Sequence, residues 1–270
     1  MQTDENALHG KRIVLTRAAE QSKSLVAELT WRGARVTLLA CVEFRPPEDL
    51  APLDAALSHL PEFDWLVFTS QNAVRFFSRR LRELGHTLPD STTLRIAALG
   101  DATARAATSE KLHVDFVATG ARSGSEFVGE FSRQARGKKI LLPQSDQATP
   151  TVADGLKEVG ASVSVVVAYR ACMPESLDAE ELSGVRREAA DVFVFASPSA
   201  FWNFARIVGE SDLERFAQGS AFAAIGPTTA HAIRDAGFSV EIEAAKPNPN
   251  EVVKAVIEYF SKVKTVRVSR

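Results

Sequence analysis

Small hydroxyl, amide and glycine residues recur in one kind of place along this chain, immediately after an apolar run and just before a helix-forming stretch. The sets are Thr16 and Arg17, Thr69 to Asn72, Gly100 to Thr103, Gln144 to Asp146, Ser197 to Ser199, and Gly226 to Thr229. Helix N-termini present backbone N–H groups with partial positive charge, which suits carboxylates or phosphates. The same residue types are also ordinary helix caps. Each of these positions, Arg17, Ser70, Asn72, Thr103, Ser197, Ser199 and Thr229 among them, is therefore open to two readings, an anion-binding contact or a cap. Other chemistries lack their signatures. There is no G-x-G-x-x-G, no Walker loop and no G-x-S-x-G elbow, and "GARSGSEFVGE" at Gly120 has the wrong spacing for a nucleotide loop. The five histidines form no ligand pattern with one another or with cysteine, so no metal site is expected. His231 reads as a partly exposed helix residue, Trp65 and Trp202 as packing, and the arginines at 75, 79, 80 and 82 as a solvated helix face.

The elements that position these residues occur twice. "FDWLVFTSQNAVRFF" from Phe63 and "ADVFVFASPSAFWNF" from Ala190 read alike, with Asp64 and Asp191 127 positions apart and Ser70 and Ser197 at the same offset. Lys11 opens "KRIVLTR" and Lys138, again 127 later, opens "KKILLPQ". Helices after these runs stop at Gly33 and Gly160, where a left-handed C-cap is expected, and "GARVTLLACVEF" answers to "GASVSVVVAYRA". "LRIAALGDATARAA" matches "AFAAIGPTTAHAI" at an offset of 126, and "SEFVGEF" and "NEVVKAV" open the last helix of each copy. An offset held this closely over more than a hundred positions indicates an internal duplication.

Apolar strands alternating with helices predict parallel sheets covered on both faces, hence two doubly wound α/β lobes. Asp64 and Asp191 precede their strands and so fall at the end opposite the expected site. The second strand of each copy looks overlong and runs on to Pro46, Pro47 and Pro174, so its tail reads as a connector able to pair as a two-stranded ribbon. "AKPNPNE" at Ala245 is a loop closed by Asn250 as the expected N-cap.

Composition narrows the class. The chain has 270 residues, 45% hydrophobic, with 32 basic and 34 acidic side chains for a net charge of −2. That balance argues against nucleic acid as a partner, and no apolar run is long enough to span a membrane. The polar N-terminus reads as neither signal nor transit peptide. Two cysteines suit a reducing compartment, so the expectation is a cytoplasmic monomer.

"VLTR", "FTSQNAV", "VVVAY" and "AIGPTTA", in this order and spacing, resemble the uroporphyrinogen-III synthase family over roughly residues 11 to 262. The resemblance implies two flavodoxin-like lobes joined by a two-stranded ribbon, with the active site in the cleft between them. It also implies exchanged halves: 1–40 with 173–270 in one lobe, 46–168 in the other, and connectors near 41–45 and 169–172. The implied activity is cyclisation of a linear tetrapyrrole, hydroxymethylbilane, to uroporphyrinogen III, with loss of water, inversion of the last ring and no cofactor. Tyr169 matches the family's tyrosine after the long strand and is the implied acid for the departing hydroxyl. Thr229 and Thr103 match the threonines of the "IG-x-T-T-A" turn and its counterpart, and Ser70, Ser197 and Arg17 match cleft-lining positions. Gln144 stands where many bacterial members carry arginine. The competing expectation is a two-lobe binding or regulatory module of the same fold without catalysis. Aromatic platforms and charged clamps in the cleft would mark a receptor, and an appended DNA-binding module would mark a regulator. The inferred cleft is short of both clamps and platforms, and residues 263–270 are read as leaving no room for a further module, so the enzyme is the expectation.

Overall fold

The computed structural model describes residues 6–88, 94–121, 123–246 and 248–268, and the counts below refer to these. The chain divides into two compact units, one of Met1–Glu43 with Met173–Arg270 and one of Phe44–Cys172.

The discontinuous unit holds a parallel sheet of β1 (Arg12–Leu15), β2 (Arg35–Leu38), β9 (Val192–Phe195), β10 (Ala221–Ala224) and β11 (Ile242–Glu243), in the order β11-β10-β9-β1-β2. Its central strand β9, VFVF, is wholly buried because both faces are covered. Alternate residues serve alternate faces. Val192 and Val194 join Leu25, Leu29, Val252 and Val256 from α1 (Ala19–Trp31) and α11 (Pro249–Val268). Phe193 and Phe195 join Phe201, Phe204 and Phe216 from α8 (Pro198–Val208) and α9 (Glu210–Gly219).

The continuous unit repeats the plan. Its sheet contains β3 (Glu43–Arg45), β4 (Trp65–Phe68), β5 (Arg95–Ala98), β6 (Phe116–Val117), β7 (Lys139–Ser145) and β8 (Ser162–Cys172), in the order β3-β8-β7-β4-β5-β6. Leu66 and Phe68 of β4 face a cluster with Leu53, Phe77 and Ala107, from α2 (Ala51–Ser58), α3 (Gln71–Glu83) and α4 (Asp101–Ser109). Trp65 and Val67 face Phe127, Phe131 and Leu156, from α5 (Gly124–Ala135) and α6 (Thr151–Glu158). Trp65 is packed edge-on against Phe131 as a core residue, with ring centroids 4.9 Å apart.

Residues 169–172 are the last part of β8, which lies beside β3 in the sheet. Two expectations need correction. Asn248, not Asn250, caps α11, its Oδ1 accepting from Glu251 N at 3.0 Å. Pro249 takes the first helical position, where the missing N–H costs nothing, and this moves the start of the helix forward. Trp202 is 46% exposed, because Phe201 and Phe204 take the core-facing side of α8 (Pro198–Val208) and leave position 202 outside it. Gly33 and Gly160 do adopt the left-handed conformation, with φ of +85° and +95°. His231 lies on the exposed side of α10 (Pro227–Asp235), 3.2 Å from Asp235. Arg79, Arg80 and Arg82 form surface ion pairs with Glu83, Asp54 and Glu110.

Candidate active site

Ligands of doubly wound sheets bind beyond the carboxyl ends of the strands, where the direction of winding reverses. In the continuous unit that point lies between β4 and β7, and in the discontinuous unit between β1 and β9.

At the first of these points α3 begins with Ser70, whose extended backbone and Oγ, accepting from Ala73 N at 3.1 Å, make it an N-cap. The same Oγ lies 3.1 Å from the phenol oxygen of Tyr169, and either hydroxyl can donate. Tyr169 is 7% exposed, so its ring is fixed by packing. It stacks on Phe76 at 5.6 Å and meets Phe44 edge-on at 5.7 Å. Burial pushes the phenol above its ordinary pKa. Hydrogen bonding to Ser70, Ser145 and Asn72 acts the other way, and the charge of Asp146 adds to the rise. The group is therefore a protonated donor at neutral pH, held among small polar side chains. Ser145 and Asp146 complete this cluster. Ser145 ends β7 and Asp146 follows it, both within the set Gln144 to Asp146, but their tie to Tyr169 is not visible in their type or spacing, since a shift in strand register is what brings Ser145 opposite Tyr169.

The remaining candidates are distributed between the units. Thr103 is buried at 4% exposure, on the third residue of α4, one strand away from Ser70. In the discontinuous unit, Arg17 follows β1 and donates from Nε to Gln21 Oε1 at 2.8 Å. Thr16 ties β1 to its neighbour, Oγ1 donating to Val194 O at 2.9 Å. Ser197 caps α8 through Ala200 N at 3.1 Å and touches Ser199 Oγ at 3.2 Å. Thr229 is buried on the third residue of α10. Ser70 and Ser197 are thus both real caps, whereas α4 and α10 open on Gly100 and Gly226 with no side-chain cap. Among the described residues, no group of three or more His, Cys, Asp or Glu side chains is placed to hold a metal ion, and no helix is long and apolar enough to cross a membrane.

These features define a doubly wound α/β protein of two units, with a phenol and hydroxyl cluster suited to proton donation where one sheet reverses. The family profile described as "Uroporphyrinogen-III synthase HemD" matches residues 23–254, and the chain belongs to the uroporphyrinogen-III synthase family, enzymes of tetrapyrrole biosynthesis. A uroporphyrinogen-III synthase of Synechococcus elongatus is 28% identical over 264 residues, covering 94% of this chain and 97% of the relative. One of Chlorobaculum parvum is 25% identical, covering 92% and 98%. The solved uroporphyrinogen-III synthetase of Helicobacter pylori has the same fold, with a TM-score of 0.63 at 20% identity over 92% of this chain and 99% of that one. A mutant uroporphyrinogen III synthase of Thermus thermophilus gives 0.58 at 16% identity over 94% and 100%.

Proposed function

We propose that this chain closes hydroxymethylbilane to uroporphyrinogen III, with Tyr169 as the proton donor to the departing hydroxyl. The observation that carries the site assignment is the protonated, ring-packed phenol of Tyr169 beside Ser70, at the reversal point of a parallel sheet.

The chemistry follows from the substrate. The C–O bond of the hydroxymethyl group breaks, its electron pair leaves with oxygen, and the phenol proton completes a water molecule. The pyrrole nitrogen stabilises the azafulvene cation that remains. The last ring attacks through its substituted carbon, passes through a spiro intermediate and re-forms its link inverted. A proton is lost as the ring rearomatises, and the phenolate recovers one, so dehydration and closure need no oxidant or reductant. Selecting the substituted carbon over the free one is a matter of holding the chain in one geometry. Ser70 assists if its own proton points to the phenol oxygen. Its lone pair already accepts from Ala73 N, and the phenol proton is then left for substrate.

The substrate's eight carboxylates meet a protein of net charge −2, so local donors rather than an overall positive field must hold them. Arg17, Asn72, Thr103, Ser197, Ser199 and Thr229 are assigned to that task. The same reading takes the two units as products of a duplication whose halves exchanged partners. It is supported by the shared strand order and by the clasps of Asp64 on Lys138 and of Asp191 on Lys11. It takes the protein as a cytoplasmic monomer whose partner is the linear tetrapyrrole, without nucleic acid or membrane. The test is to supply hydroxymethylbilane to the purified protein and resolve the products. Type III product formed faster than spontaneous closure supports the reading, and type I alone, as in a protein-free control, removes it.

A further inference from the structure

The pairing of β7 with β8 runs in step from Lys139 opposite Ser162 to Gln144 opposite Val167, then slips, so that Ser145 lies opposite Tyr169. Ala168 is the extra residue on β8, the arrangement of a β-bulge. Its effect on Tyr169 is large. Val163, Val165 and Val167 share one face of the strand. Val163 packs toward α5 and α6, and the other two are exposed. Val166 and Ala168 face the cluster under α2, α3 and α4. Unbroken alternation would put Tyr169 on the side of Val167. It lies instead in the cluster of Val166 and Ala168, beside Phe76 and Ser70.

A bulge near the end of a strand has lost ladder bonds and needs other fastening. Here the turn 145–147 supplies it. Asp146 N donates to Tyr169 O at 3.1 Å, and Ala171 N donates to Asp146 Oδ1 at 3.1 Å. Ser145 Oγ donates to the same Oδ1 at 3.0 Å. Gln147 Nε2 closes the knot on Ala171 O at 2.6 Å. The backbone is thus gripped on both sides of Arg170, one residue beyond the phenol.

We propose that Asp146 is a positioning residue for the reaction, its carboxylate holding the bulged end of β8 so that the Tyr169 hydroxyl stays beside Ser70. This deepens the function proposed above and rests on Tyr169 being the proton donor. The Asp146 charge has a second effect, since it disfavours the phenolate and keeps the donor loaded.

The test measures type III formation, melting temperature and the tyrosine titration in Asp146→Ala, Asp146→Asn and Tyr169→Phe. In Asp146→Ala, type III formation is expected to fall on the order of 10- to 100-fold, the scale of a misplaced reacting group. Melting temperature should change little, because the side chain is on an exposed turn. Asp146→Asn keeps an oxygen that accepts both bonds, so it should recover most of the type III rate while the Tyr169 midpoint moves down. If Asp146→Ala keeps the wild-type rate while Tyr169→Phe loses it, the positioning role is overturned and the donor stands. If Tyr169→Phe itself keeps the wild-type rate, the underlying function of Tyr169 is overturned. Equal losses in Asp146→Ala and Asp146→Asn, with the Tyr169 midpoint unmoved, also overturn the positioning role.

Discussion

Ser70 Oγ and Tyr169 Oη lie 3.1 Å apart, joining the first turn of α3 to the bulged end of β8 within one unit. The serine therefore has two tasks, capping a helix and touching the proposed donor. Its counterpart Ser197 has the cap alone, with Ser199 rather than a phenol as neighbour.

Ser70→Ala and Ser197→Ala should each lose about 1 kcal/mol of stability, the usual cost of an N-cap, measurable by denaturant titration. Backbone N–H groups at the helix start survive both changes. Substrate use should therefore weaken only modestly, on the order of 1 kcal/mol, which is the scale of one neutral hydrogen bond. A thousandfold loss of turnover from Ser70→Ala in a folded protein would make that hydroxyl catalytic in its own right.

The chain has two tyrosines, Tyr169 and Tyr259, and burial is the leading cause of a raised phenol pKa in both. An ultraviolet difference titration should place both phenolate midpoints above that of a free tyrosine side chain, and comparison with Tyr169→Phe isolates the midpoint of Tyr169. A pKa raised by folding stabilises the protein fully below the unfolded value and loses that contribution as pH rises through the folded one. Tyr169 thus contributes no alkaline fall in turnover near neutrality, and stability should decline only in the alkaline range. A Tyr169 midpoint below pH 10 would contradict the buried placement.

Asp64 Oδ2 accepts from Lys139 N at 2.8 Å and Oδ1 from Lys138 Nζ at 3.0 Å, which hold its carboxyl below the usual carboxylate range. Its contribution is present above the unfolded pKa and is lost as pH falls through the folded one. Asp64→Asn should lower stability at pH 7 by about 1 kcal/mol or less, discounted because the side chain is 38% exposed. The difference from wild type should shrink as pH falls below the usual carboxylate range. An undiminished difference in acid would show that the effect is not the charge.

Much of this arrangement was readable in the residues themselves. Asp64 and Asp191, 127 apart, hold Lys138 with Lys139 N and Lys11 with Arg12 N by matching bonds, so the repeat in the letters is a repeat of contacts. The strands were legible because WLVF and VFVF are buried on both faces and carry no polar interruption. Ser70 and Ser197 were legible as caps because capping is decided within four residues. Tyr169 was harder. Its motif marked it, but its place inside the sheet depends on pairing with β7, a partner more than twenty residues away, and on an extra residue at Ala168 that strand patterning does not reveal. Ser145 and Asp146 acquire their roles only through that register. Trp202 and Asn250 were misjudged for local reasons, one by the rotation of its helix and the other by a proline that starts the helix earlier.

The proposed roles of the chain and of Tyr169 meet in one measurement, the type III fraction formed from hydroxymethylbilane by wild type and by Tyr169→Phe under identical conditions. The substitution removes one oxygen and keeps the ring against Phe76 and Phe44, so the melting temperature should hardly move. General acid catalysis supplies roughly 100- to 10,000-fold, and hydroxymethylbilane also closes unaided. The account predicts type III product from the wild type and a shift toward type I in the variant, with turnover lower by that order. Near-wild-type type III production by a stable Tyr169→Phe protein would contradict it and leave the phenol a packing residue.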